Sequence, residues 1–284
     1  MSATAAPSLT VSAPGLRPGL WTAIARMGIL EWLAYRMSSV MKLVEFPVLI
    51  SIYYFLFTAL YRSLPAGKAL VGGQTLNETL TYVALVWAIE SLINNGIDWQ
   101  MGQEMRQGHI AVYLARPLSL LQYYFCLSMG HVCYRGLLIA LPIVFFVSRF
   151  MPVQAPASAV HAGLFAVALL GSFSLLFLLH FLIGLSALFL ESNSGIHVLK
   201  MALQRGLGGL VLPLSLLPDH IRETILLTPF PYLYYAPVQI YLGVLPIEKL
   251  TSLLGHQWAW IAGLGLLTWM LERIAVRHVH IQGG

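Results

Sequence analysis

The chain has 284 residues, of which 58% are hydrophobic and only 10% charged, where a soluble domain runs nearer about a quarter charged. That balance, with a mean hydropathy of +0.77, excludes an ordinary cytosolic enzyme, a disordered chain and a nucleic-acid binder. The net charge of +5 reads as loop arginines and lysines on the inner side of a membrane, and at ~20 apolar residues per crossing the length fits about six crossings in one domain.

Residues 1–19 are rich in Ala, Ser, Pro and Gly and lack an apolar h-region, so the expectation is a flexible cytoplasmic tail without a signal peptide. Residues 20–42 repeat apolar positions at helical spacing but are interrupted by Arg26, Glu31 and Arg36. That pattern, with Trp21, Trp32 and Tyr35 at headgroup level, predicts a helix lying in the interface. Spans are then expected near 43–61, 78–95, 131–150, 159–190, 195–213 and 257–275, all in one transmembrane domain over 20–284. The fourth is longer than a bilayer needs and implies tilt or protrusion.

Cys126 and Cys133 lie two turns apart on one predicted helix, ~10 Å at 1.5 Å per residue, beyond the ~7 Å reach of a disulfide. With both termini inside, eleven of the 16 Lys and Arg fall on the inner side, as the positive-inside bias requires.

Two connections depart from simple hairpins. The inner one, residues 97–120, reads as a short polar helix over Gln100–Gln107 that Gly108 ends at positive φ. A second apolar turn follows over His109–Ala115, then a corner at Pro117. It is either a solvated loop or a docking element for a cytoplasmic partner. The outer one runs from Ser215 to His256 and is punctuated by Pro218, Pro229, Pro231, Pro237 and Pro246, with Pro213 leading in. Its apolar stretches are too short to span. They predict two short helices that dip into the outer leaflet and return, the first capped by Asp219. The alternative is an amphipathic loop resting on the membrane.

Among polar residues in the spans, Glu45 and Glu90 lie near inner ends and are expected to pair with Arg36, Lys42 or Arg135. His180, in mid-span, is either a hydrogen-bonded packing residue or a path-lining one; His131 and Arg135 also read as interface snorkels. No third ligand joins the His220/Glu223 or His278/His280 pairs, and neither His-Glu-x-x-His nor Gly-x-Ser-x-Gly occurs. No metal site or catalytic residue is expected. A channel, a secondary transporter or, less well supported, a membrane-embedded enzyme remain the rival classes.

Four stretches resemble the membrane subunit of bacterial type-2 ABC exporters (ABC-2 permeases), in their six-helix branch. They are "EWLAYR" at 31–36 with "YYFLFTALY" at 53–61, "MRQGHIAVYLARPLSLLQYY" at 105–124, "LFLESNSG" at 188–195, and the segment 212–243. Ser192, Ser215 and Glu90 or Ser91 depart from that pattern, which has acids at the first two places and an arginine at the third. The resemblance implies a half-transporter in the bacterial inner membrane: an exporting permease paired with an identical or paralogous second permease over a cytoplasmic ABC ATPase. ATP and Mg would sit on that ATPase, for the only Gly-Lys here, Gly67-Lys68, lacks the rest of a phosphate-binding loop. It also implies an ATPase-coupling element with Gln103, Glu104, Arg106, Gly108, His109, Arg116 and Pro117. An interfacial helix with Trp21, Glu31, Trp32, Tyr35 and Arg36 would cradle the same ATPase. Glu191 is implied in the inner turn, and Pro213, Pro218, Pro231, Tyr235 and Pro237 in the outer segment.

Overall fold

A computed structural model describes residues 18–34, 36–65, 70–108, 113, 118–190 and 193–282. The described residues are helical, with short turns and no named strand. Among the described residues, four stretches are long and apolar enough to cross a bilayer: Met37–Arg62, Leu76–Arg106, Leu120–Phe150 and Ala159–Ser186. The chain is thus an all-α, multi-pass membrane protein.

Helix α1 (Pro18–Ala34) packs along α5 (Leu120–Arg135). The two approach at glycines: a Cβ on Gly130 would meet the backbone of Ala25, and one on Gly28 would lie 2.5 Å from the Leu127 carbonyl oxygen. The first part of the predicted interfacial helix is α1, described as far as Ala34, and residues 36–42 lie in α2 (Arg36–Arg62). Helix α2 keeps Phe46, Ile50 and Phe57 inside and leaves Met41, Val48 and Phe55 exposed.

Helix α3 (Leu76–Ile93) is the central element. Its start is fixed by a capping box, in which Thr75 Oγ1 accepts from the Glu78 amide and Glu78 Oε2 accepts from the Thr75 amide. Nearly every one of its side chains is buried, including Tyr82, Val86 and Ile93. Residues Asn94, Asn95 and Gly96 break it before α4 (Ile97–Arg106).

The third crossing starts earlier than expected. A second capping box, between Ser119 and Gln122, begins α5 at Leu120. The helix then runs through a π-helical turn, Gly136–Ala140, into α6 (Leu141–Phe150). The Leu141 amide donates to the Gly136 carbonyl. The wider turn precedes Pro142, whose ring clashes with the preceding turn of a regular α-helix and whose nitrogen cannot donate.

Helix α7 (Ala159–Ser186) and α8 (Ser194–Leu207) follow. The segment expected to span 195–213 is a helix of only 14 residues. It ends where Gly208 is followed by Gly209 at φ +82. A 3-10 turn (Leu214–Leu216), α9 (Asp219–Leu226), a second 3-10 turn (Phe230–Leu233) and α10 (Tyr235–Leu242) lead to α11 (Ile247–Gln282). The main core joins α2, α3, α6, α7 and α10; a second cluster joins α1, α4, α5 and α7. Cys126 and Cys133 are both free.

Candidate functional site

Helix α4 carries the inner connection. Its apolar positions Ile97, Met101 and Met105 recur every four residues and are buried. Beside them Asp98 is fully buried. Its Oδ2 accepts from Lys200 Nζ at 3.0 Å and sits 2.7 Å from His197 Nδ1, both on α8. His180 Nε2, on α7, stands 4.0 Å from Oδ1 and has no hydrogen-bond partner. The carboxylate therefore ties α4 to α8, while its other oxygen faces α7 without a hydrogen bond. Contact between α4 and α7 is close because Gly184 lets Met101 in. This cluster escaped sequence reasoning, which singled out His180 without naming a partner. The available signal was one acid on the apolar face of α4 and one lysine inside an expected span.

The predicted coupling residues are held from within. Glu104 Oε2 accepts from Tyr113 Oη at 2.7 Å and Tyr124 Oη at 2.5 Å, while Oε1 accepts from Gln100 Nε2 at 3.1 Å. Burial first, and the bond to Glu104 second, hold the Tyr113 hydroxyl well above its ordinary range. Arg106 donates to Asn193 Oδ1 at 2.8 Å and lies 6.0 Å from the Trp99 ring. Gly108 does end the helix region at φ +76. His109, Arg116, Pro117 and Glu191 lie outside the described residues.

On α1, Glu31 Oε2 is 3.0 Å from His131 Nε2 of α5. Trp32 stacks on Tyr134 at 6.0 Å, and Lys42 Nζ and the Arg135 guanidinium each lie 5.0 Å from its ring. Two cations over one indole contribute ~0.5–2 kcal/mol each, depending on how dry the site is. Trp32→Leu should therefore lower stability by about 2 kcal/mol, read from thermal unfolding in detergent, with Trp32→Phe intermediate. Trp21 faces an apolar hollow with Phe125 and Phe177. Tyr35 lies outside the described residues, as does the side chain of Arg36. Glu31 and Trp32 from α1 and Trp99, Gln103 and Glu104 from α4 line a common cleft of about 750 Å³, which brings residues of two predicted groups together.

The expected pairing of the span carboxylates is not a direct one. Glu90 is buried and accepts from Asn94 Nδ2 at 2.7 Å, from Gln204 Nε2 at 3.4 Å and from the Tyr234 hydroxyl. Arg135 Nε donates instead to the Ser91 carbonyl at 2.7 Å. Neutral donors thus surround the carboxylate, while the guanidinium donates to backbone through Nε, lies over Trp32 and leaves Nη1 buried without a partner. Glu45 is exposed and makes no ion pair among the described residues. His131 and Arg135 are buried rather than snorkelling.

At the opposite end, two short helices of 8 residues each do occupy the outer segment. Asp219 is not the cap: Pro218 precedes the helix, and the Asp219 carboxylate in the first turn accepts from Arg222 at 2.5 Å. Helix α10 is buried, with Pro237 in its first turn and Tyr235 donating its amide to the Gly208 carbonyl at 3.3 Å. Pro213 leads into the first 3-10 turn and Pro231 lies buried in the second. Gln257 Nε2 of α11 donates to the Tyr232 carbonyl at 2.8 Å. Irregular backbone here thus finds partners within the protein. Among the described residues, no group of His, Cys, Asp and Glu is arranged to hold a metal ion.

A sequence model described as "ABC-2 family transporter protein" matches residues 48–283. Comparison with curated proteins and with solved structures found no match.

Proposed function

Because this chain belongs to the ABC-2 transporter family, and is a membrane transport component, we propose that it is one permease subunit of an ATP-driven exporter. It works in a pair, with an identical or paralogous subunit, over a separate cytoplasmic ABC ATPase that binds ATP and Mg. The sequence itself has no Gly-x-x-x-x-Gly-Lys-Ser/Thr segment, so the motor belongs on another chain.

Six crossings, with both termini inside a bacterial inner membrane, are supported by the alternation of contacts. Gln74 meets Gln239 and Ser215 at one end. At the other, Asp98 meets His197, and the Leu121 amide donates to Glu272. Helix α8 starts beside Asp98 and the chain after it arrives beside Gln74, and α11 returns from that end to Leu121. The charge bias puts the Asp98 end inside. The exposed apolar side chains of α2 and α11, Phe55 and Met270 among them, face lipid or the second subunit.

The observation that carries the coupling reading is the buried Asp98 cluster. It fastens α4 to α8, and Met101 packs α4 against α7 at Gly184, so force on the exposed 107–108 end reaches both helices. Shape and apolar contact by 110–114 supply most of the docking energy, since an exposed ion pair contributes under ~1 kcal/mol. Arg106→Glu with Arg116→Glu is expected to cut ATPase recovery on a tagged pull-down at least several-fold while membrane yield holds. Arg106→Ala alone, which removes the bond to Asn193 and the contact with Trp99 without reversing the charge, is the control. Undiminished recovery would move the docking element elsewhere; loss of the protein from the membrane would assign these arginines to topology.

A further inference from the structure

We propose that the cleft at the Gln74 end binds a phosphate-bearing headgroup, supplied by a lipid of the adjacent leaflet. The cleft has a volume of about 400 Å³. Its floor is a directional chain of hydrogen bonds. Ser215 Oγ donates to Gln74 Oε1 at 3.0 Å, and Gln74 Nε2 donates to Gln239 Oε1 at 3.5 Å. All three residues are buried, Gln239 to 2% exposure. Both side-chain amide oxygens along this chain accept a bond, and the chain ends on Gln239 Nε2, a buried donor with no partner. Buried donors are rarely left unmade without a reason.

The rim supplies charge. Lys249 is exposed and makes no ion pair among the described residues, and Arg222 lies beside it in the lining, held by Asp219. Glu223 is the one acid of the rim. A sugar hydroxyl, which donates as well as accepts, would find few acceptors here. A phosphate only accepts, and it matches an unpartnered amide donor at the floor with one unpaired and one paired cation on the rim. Leu226, Leu245 and Leu253 form the apolar wall, which suits the glycerol and first methylenes of a lipid. Glu223 is placed to take a headgroup amine, so a zwitterionic phospholipid fits as well as an anionic one.

The leaflet named depends on the orientation proposed above; the binding chemistry does not. The test uses the full chain purified in detergent, without ATPase or cargo. Thermal unfolding and native mass spectrometry are followed with dihexanoyl phosphatidic acid, dihexanoyl phosphatidylethanolamine, dihexanoylglycerol and glycerol 3-phosphate. The expected result is stabilisation and retained adducts with the two phospholipids and not with dihexanoylglycerol. Lys249→Met should weaken binding at least several-fold, and Gln239→Leu should abolish it. Equal binding of dihexanoylglycerol, or phospholipid binding unchanged in Lys249→Met, a surface variant that leaves the fold alone, overturns the proposal. Equal binding of glycerol 3-phosphate keeps the phosphate site and rejects the lipid as its source. A failed ATPase pull-down would overturn the exporter reading and leave these results standing.

Discussion

Asp98→Ala is expected to destabilise the folded chain by about 3–5 kcal/mol, the usual cost of leaving a buried charge without its partner. Asp98 is fully buried and Lys200 is 6% exposed, so neither water nor salt can replace the missing carboxylate at Lys200 Nζ. Thermal unfolding of the purified protein reads the loss directly. The double variant Asp98→Leu with Lys200→Met removes both charges and should recover most of the stability, because the pair's attraction largely offsets its own desolvation. If Asp98→Ala melts with the parent, the ion cluster is not what fastens α4. If the double variant melts as low as Asp98→Ala, His197 and His180 depend on the carboxylate more than Lys200 does. The double variant also separates stability from coupling: a stable protein that no longer responds to its ATPase would show that charge, and not packing alone, makes α4 rigid.

Gly130→Leu carries the second large effect. No space exists for its side chain, since even a Cβ would meet the Ala25 backbone, and backbone cannot rotate away as a flexible side chain can. Overpacking of this kind costs ~1–3 kcal/mol and more where backbone must move. The expected outcome is local: α1 separates from α5, breaking the Glu31–His131 contact and exposing Trp32, while the main core around α3 holds. Limited proteolysis should then cut within 18–34 many times faster, and tryptophan emission should shift to the red. Gly130→Ala should give the same result in weaker form. Unchanged cleavage of Gly130→Leu would mean that α1 does not depend on this approach.

Much of the architecture was legible because bilayer crossing demands long apolar runs: α3 and α7 lie within a few residues of their expected bounds, and α2 ends where expected but starts seven residues earlier. The family resemblance was legible too, in the 105–124 and 188–195 motifs. What was missed has a common cause. A polar side chain facing another helix reads the same as one facing water. His131 and Arg135 read as interface snorkels, yet they are buried; α1 covers that face. Lys200 and Gln204 were read over as span residues, yet they reach Asp98 and Glu90. Tertiary partners of this kind are distant in sequence, Asp98 with Lys200 and Glu90 with Tyr234, and no local pattern announces them. Asp219 illustrates the smaller error: an acid ahead of a helix suggests a cap, but Pro218 already fixes the entry and frees the carboxylate for Arg222.

The π-helical turn at Gly136–Ala140 changes how the third crossing must be read. One residue more per turn advances everything after it by about 100° relative to a regular helix. The crossing therefore has two helical wheels, offset by a single position. On the first, Leu127, His131 and Tyr134 share a stripe toward α1 and α3; on the second, Ile139, Ile143 and Val147 share one toward α2 and α3. A single wheel drawn over 120–150 scatters these residues around the axis and makes a well-packed helix look featureless. Drawn as two, the same letters resolve into a pair of clean stripes, and Pro142 marks the seam between them.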